Sequence, residues 1–199
     1  EMVKLTENSY RDVNIAFANE LSIICDKLDI DVNNLIEFSN KHPRVNILHP
    51  GPGVGGHCIA VDPWFIINQD KKNSKLIRTA REVNSDKGNW VVNKIKDEIN
   101  FFYKKNNTKP LVACFGLAYK PNIDDMRESP AEKIALNLLN LGHNIIAVDP
   151  NISNHSQLKL SSIDEALKIA DIKVFLVAHD EFIGLSTSQD LDFCNLKSL

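Results

Sequence analysis

Leu111-Val112-Ala113-Cys114-Phe115-Gly116-Leu117 is a short unbroken apolar run, the pattern of a strand buried on both faces of a sheet. What flanks it decides the kind of sheet. Downstream, Ser129-Pro130-Ala131-Glu132 supplies an N-cap, a proline at the first helical position and an acid at the third, which predicts a helix from Pro130. Ile134, Leu138, Leu139 and Leu141 carry that helix to Gly142, a natural stop. Asn144-Ile145-Ile146-Ala147-Val148-Asp149 reads as a second strand, Ser162-Ile163-Asp164-Glu165-Ala166-Leu167 opens another helix, and Lys173-Val174-Phe175-Leu176-Val177 is a third strand. Strand and helix in alternation predict a doubly wound α/β domain with a parallel sheet.

Upstream lies Lys104-Lys105-Asn106-Asn107-Thr108-Lys109-Pro110, a polar run that reads as the boundary between residues 1–107 and 108–199. The first part is nearly all helix. Val3, Ile15, Ala16, Leu21, Ile24 and Cys25 recur at helical spacing from Met2 to about Leu28. Cap-type residues Asp29 to Asn33 precede a second helix through Leu35, Ile36 and Phe38. Trp64-Phe65-Ile66-Ile67 reads as a buried helix start. Ser74 to about Asn106 is a long helix with Ile77, Ala80, Val83, Trp90, Val91, Ile95, Ile99 and Phe102 as its stripe. That is more apolar surface than one small domain covers, and a helical dimer interface would use it.

Between these helices sits Pro50-Gly51-Pro52-Gly53-Val54-Gly55-Gly56-His57-Cys58-Ile59-Ala60-Val61-Asp62-Pro63. Gly costs backbone entropy and Pro lacks the amide donor in regular structure, so this is a shaped loop whose backbone can approach a ligand. It delivers one thiol, Cys58, with Asp62 four residues on. If Cys58 opens a helical turn, Asp62 shares its face, and the helix terminus favours the thiolate. The bland reading is a tight turn with a small buried cysteine. Lys4 and Asn8 emerge one turn apart on one helical face, either as solvated surface or as donors for an oxyanion.

At the carboxyl end of the first predicted strand, where such sheets bind ligands, stand Tyr119, able to stack on a base, and Lys120, able to meet phosphate. Arg127 precedes the next helix. No GxGxxG is present, so this is not a standard dinucleotide fingerprint. The chain has 199 residues, 43% hydrophobic, with a net charge of −3 that offers no basic face for nucleic acid. No apolar run is long enough to span a membrane. Cys25, Cys58, Cys114 and Cys194 are scattered without CxxC, which argues against a disulfide framework and fits a reducing cytoplasm. The six histidines show no ligand spacing, so no metal is expected. Cys25, Cys114 and Cys194 read as packing residues.

Three separated motifs then carry a resemblance: Lys4-Leu5-Thr6-Glu7-Asn8, Gly53-Val54-Gly55-Gly56-His57-Cys58-Ile59-Ala60-Val61-Asp62-Pro63, and Gly116-Leu117-Ala118-Tyr119-Lys120-Pro121-Asn122-Ile123-Asp124-Asp125-Met126-Arg127-Glu128-Ser129-Pro130-Ala131. In this order they resemble the UDP-glucose/GDP-mannose dehydrogenase family. The resemblance implies an N-terminal NAD domain, a central helical dimerisation domain and a C-terminal UDP-binding domain, of which this chain matches the last two. Opening at Glu1-Met2-Val3-Lys4, already within helical periodicity, the chain is read as a fragment, inert by itself.

The resemblance also implies oxidation at the sugar C6 hydroxyl by two hydride transfers to NAD+. Cys58 would form a thiohemiacetal and then a thioester, Lys4 and Asn8 would hold the oxyanion, and Asp62 would position or deprotonate water. Tyr119 would stack on uracil and Lys120 would meet the UDP moiety. Arg44 matches an arginine that reaches the neighbouring subunit's site, Arg127 one near the cofactor, and Gly55, Gly56 and His57 would contact the sugar. UDP-N-acetyl-D-mannosamine is the favoured substrate, with UDP-N-acetylglucosamine or UDP-glucose as alternatives. A non-catalytic nucleotide-sugar-binding or dimerisation module is the rival from another class; a thiol hydrolase lacks a His and Asn/Asp set around Cys58.

Overall fold

A computed structural model describes residues 1–196. In chain order the elements are α1 (Met2–Lys27), α2 (Val32–Asn40), α3 (Asp62–Gln69), α4 (Lys75–Asn106), β1 (Leu111–Phe115), α5 (Pro130–Asn140), β2 (Asn144–Val148), β3 (Lys159–Leu160), α6 (Ile163–Ile169), β4 (Ile172–Phe175) and β5 (Leu191–Asp192). The caps are local side chains. Asp31 accepts from Asn33 N at 2.8 Å, Ser129 from Glu132 N at 3.3 Å and Ser162 from Glu165 N at 3.2 Å, each satisfying a helix-terminal donor.

The sheet is parallel throughout, in the order β3-β2-β1-β4-β5. β1 is central and its alternate residues enter two different cores, which is why its run is unbroken. On one face Val112 and Cys114, with Ile145, Ala147 and Val174, pack against Val91, Ile95 and Ile99 of α4 and Ile134 and Leu138 of α5. On the other, Ala113 and Phe115, with Ile146 and Val148, pack under Ala166 of α6. Phe115 stacks on Phe175 at 4.6 Å between centroids, and Phe182 meets Phe115 edge-on at 5.4 Å. β3 and β5, two residues each, were not expected from the sequence; at that length no alternation exists to read.

The helical part is filled differently. Where α1 crosses α4 the apolar contacts are small, Ala16, Ala18 and Ala80, and the space between is polar. Arg81 pairs with Asp12 at 2.5 Å, Asn84 Nδ2 donates to Asp12 Oδ1 at 2.8 Å, and Asn19 Nδ2 donates to Asn84 Oδ1 at 2.9 Å. Lys87 Nζ donates to Ser22 Oγ at 2.6 Å and lies 3.9 Å above the Trp90 ring. Burial pushes the Asp12 carboxyl up from its ordinary value despite Arg81, and pushes the Lys87 ammonium down to about 8.

α4 belongs to both parts. Its first half packs on α1, and from Val91 onward it covers the sheet. The polar run after it is the end of this helix, closed by Asn107 in the left-handed conformation, and the turn into β1. The chain leaves β1 toward β2 on one side and returns through α6 to β4 on the other, so the order reverses between β1 and β4 and a crevice opens at their carboxyl ends. Gly116, at φ +95°, ends β1 hard against Val177, whose Cβ would lie 2.4 Å from any Cβ added there.

Candidate active site

The thiol is presented by a tight turn. Cys58 O accepts from Val61 N at 3.1 Å and Asp62 N at 2.8 Å. The second bond has helical spacing, but regular helix starts only at Asp62, so Cys58 lies one turn ahead of α3 rather than within it. Pro63 suits the first helical turn and Asp62 meets the positive end of the helix there. Trp64 and Phe65, expected to be buried, are 41% and 56% exposed. A helix of eight residues has one inward stripe, and Pro63 and Ile67 fill it.

The structure brings Asn8 and Asp62 together: Asn8 Nδ2 donates to Asp62 Oδ2 at 2.6 Å, tying α1 to the start of α3. Lys4, one turn earlier on the same face, is exposed and opens on an apolar cleft of about 590 Å³ with Leu5, Phe65 and Ile66. Cys58 itself is half-buried and free.

The loop glycines are explained by what they touch. A Cβ on Gly55 would come within 2.7 Å of Tyr119 Cβ and 2.8 Å of Glu128 O, and one on Gly56, at φ +81°, within 2.9 Å of the Tyr119 ring. Gly56 N donates to Arg127 O at 3.0 Å. The thiol loop therefore lies against the loop that leaves β1, and the close approach its glycines permit is to Tyr119. Beside this junction the crevice at the sheet edge forms a cavity of about 340 Å³, lined among others by Pro50, Gly51, Tyr119, Lys120, Val177 and Ala178.

Lys120 is exposed, with its ammonium 5.8 Å from the Tyr119 ring centroid. Arg127 grips Asp125 through Nε at 3.0 Å and NH2 at 2.6 Å. These hydrogen bonds hold the Asp125 carboxyl down at about 2, with a smaller contribution from nearby His57. Arg127 in turn lies within electrostatic reach of Tyr119 and Cys58. His57 is exposed. Arg44, also exposed, sits in the turn after α2 with its N–H on His42 Nδ1 at 3.2 Å, apart from the other site residues.

Two sets of residues escaped sequence reasoning. Asn19 Oδ1 accepts from Gly51 N at 2.9 Å, so the buried polar chain between α1 and α4 ends on the backbone of the thiol loop. Asp149 and His179, wholly shielded from solvent, lie under the loop of Tyr119 and Lys120. An acid closing a strand, Val148-Asp149, was the available signal for the second; nothing in residue type marked the first.

A helical unit here docks a free thiol and a carboxylate–amide pair onto the carboxyl edge of a parallel sheet, where open α/β sheets bind their ligands. Residues 1–86 match the UDP-glucose/GDP-mannose dehydrogenase family, central domain, and residues 113–194 the UDP binding domain of the same family. The chain belongs to that family. It is 54% identical to UDP-N-acetyl-D-mannosamine dehydrogenase of Campylobacter jejuni, covering 98% of this chain and 48% of that protein. It is 50% identical to an NDP-N-acetyl-D-galactosaminuronic acid dehydrogenase of Ralstonia solanacearum, over 95% and 45%. The structure of the UDP-N-acetyl-mannosamine dehydrogenase Cap5O from S. aureus matches with a TM-score of 0.80 at 47% identity, over 98% and 45%. The chain spans about half the length of the curated relatives it matches.

Proposed function

We propose that this chain is the thiol-bearing and nucleotide-binding part of an NAD-dependent UDP-sugar 6-dehydrogenase that oxidises UDP-N-acetyl-D-mannosamine to the uronate in the cytoplasm. The observation that carries the reading is the packing of Gly55 and Gly56 on Tyr119, which puts the thiol turn beside the sheet-edge crevice. Residues 1–107 serve as the central dimerisation domain and 108–199 as the UDP-binding domain.

In this reading Tyr119 stacks on uracil, Lys120 meets the diphosphate, and Gly55, Gly56 and His57 contact the sugar. The Cys58 thiolate adds to the C6 aldehyde carbon, and the carbonyl oxygen takes the negative charge between the Lys4 ammonium and the Asn8 amide. Asn8 can hold that oxygen with one amide proton while the other stays on Asp62. NAD+ would accept the two hydrides that take C6 from alcohol to aldehyde and from thiohemiacetal to thioester. Asp62, so oriented, takes a proton from the water that then attacks the thioester carbon and expels the Cys58 thiolate, freeing the uronate. The residues present do not make a dinucleotide site: no GxGxxG follows β1, and Arg127, the residue assigned to the cofactor, is committed to Asp125.

A homodimer fits the surface of α1, where Val3, Tyr10, Phe17 and Ile24 recur every seventh residue and are 73%, 69%, 53% and 46% exposed. Arg44, unoccupied by its own site, would then serve the partner's. No helix among the described residues is long and apolar enough to cross a membrane.

The test is calorimetric titration of the chain with UDP and UDP-N-acetylmannosamine beside Lys120→Ala. Losing the phosphate's cation is expected to weaken UDP at least about tenfold. UDP affinity unchanged in the variant, or no affinity in the parent, overturns the nucleotide reading. Equal affinity for the galacto-configured sugar nucleotide would favour the activity named for the Ralstonia relative.

A further inference from the structure

We infer that Asp149 and His179 are positioning residues that fix the loop carrying Tyr119 and Lys120 from beneath. This rests on the nucleotide reading of that loop.

Asp149 follows β2, and its carboxylate is turned toward the neighbouring strand's loop. Oδ2 accepts from Leu117 N at 2.7 Å and Ala118 N at 3.2 Å, and Oδ1 from Asn151 N at 2.9 Å. His179 follows β4 and holds the same loop further on: its Nδ1 accepts from Asn122 N at 3.1 Å. Asn122, at φ +59°, accepts in turn at Oδ1 from Asp180 N at 3.0 Å. Tyr119 and Lys120 therefore project from a segment pinned on both sides.

The ring's protonation follows from its partners. A backbone N–H can only donate, so Nδ1 is bare and the ring proton sits on Nε2. Nε2 lies 3.2 Å from Asp149 Oδ2 without forming a hydrogen bond, so the contact is electrostatic. Phe182 packs edge-on against the imidazole at 5.3 Å and keeps it in place. Burial by itself would raise the Asp149 carboxyl, but the nearby His179 ring and the N–H groups of Leu117 and Asn151 more than reverse it, and the acid stays ionised.

A carboxylate side chain shielded from water is costly unless its lone pairs are filled, and an apolar side chain would close the same space without that cost. What the charge provides is a grip on two successive backbone N–H groups of the loop, stronger than a neutral acceptor makes. The apolar stacks on either face already hold the sheet together. The pair acts on the loop.

The experiment compares His179→Ala with His179→Asn, whose amide oxygen can replace Nδ1, in UDP titration and in amide hydrogen exchange. The expected results for His179→Ala are UDP binding weakened about 5- to 20-fold and exchange accelerated at Leu117, Ala118 and Asn122 with the strands still protected. His179→Asn is expected to recover most of both. A folded alanine variant with parental affinity and parental exchange overturns the proposal while leaving the nucleotide reading intact. Loss of protection spread through the sheet, unrescued by asparagine, also overturns it, because the role is then structural. If the parent does not bind UDP, the nucleotide reading falls, and exchange confined to the three amides decides the clamp by itself. Should the alanine variant not fold, Asp149→Asn takes its place with the same two readouts.

Discussion

The two halves of the chain solve the problem of burial in opposite ways. Around the sheet both interiors are apolar, built from alternate residues of β1, β2 and β4, and the one under α6 is closed by Phe115, Phe175 and Phe182. Between α1 and α4 the interior is made of small alanines and a connected set of charged and amide side chains, and the large apolar residues of α1 face outward. The difference teaches where each half's specificity comes from. Apolar packing tolerates small slips, whereas the hydrogen bonds that link Asp12, Arg81, Asn84 and Asn19 form in a single register, and that register ends on Gly51.

The largest loss of stability is expected in the sheet. Phe175→Ala removes a wholly buried ring stacked on Phe115 and is expected to cost about 3–5 kcal/mol, read from the urea midpoint. In the helical half Asp12→Ala leaves the Arg81 guanidinium buried without its carboxylate, at an expected cost of about 3 kcal/mol. Replacing both members, with Asp12→Leu and Arg81→Met, is expected to recover most of that loss. If the double change is as damaging as the single one, the network supplies stability rather than register.

A pH profile sharpens the contrast further. The Lys87 ammonium is held at about 8 by burial, against 10.5 unperturbed, so between these values the unfolded chain binds the proton and the folded one does not. Stability therefore rises with pH across that window, and the penalty, on the order of 3 kcal/mol, is present in full below pH 8. Lys87→Met is expected to flatten the profile and to raise stability at pH 7 by about 1–2 kcal/mol, after the lost bond to Ser22. The smallest effect on folding is expected from Tyr10→Glu with Phe17→Glu, within about 0.5 kcal/mol for such exposed positions. If α1 pairs two copies as proposed, the same pair of changes is expected to leave a monomer in sedimentation equilibrium, and an unchanged mass would overturn that interface.

Legibility divides along the same line. The caps at Asp31, Ser129 and Ser162, the two-faced strand at Leu111 and the pairing of Lys4 with Asn8 on one face are local patterns, and each stands where its residues place it. The contact between Asn8 and Asp62 joins residues far apart in the chain, and the hold of Asp149 on Leu117 joins two strand ends. Neither leaves a period or a spacing to detect. The glycine loop was legible as a close approach, but not its partner: Tyr119, from the other half, fills the space the missing Cβ atoms leave. Trp64 and Phe65 looked like core because they are large and apolar, and only the shortness of α3 decides otherwise.

One consequence follows from the sharing of α4. Because a single helix of 32 residues serves both interiors without a break, the thiol turn and the nucleotide crevice are related by an angle as well as a distance. Each residue of helix advances about 1.5 Å and turns about 100°. One residue added between Lys87 and Val91 would rotate the sheet by more than a quarter turn under α1, and Tyr119 would leave Gly56. Seven residues would nearly restore the phase while moving the two halves about 10 Å apart. The length of α4 thus works like the keying of a shaft, and insertions there are expected to be excluded far more strictly than in any loop of the molecule.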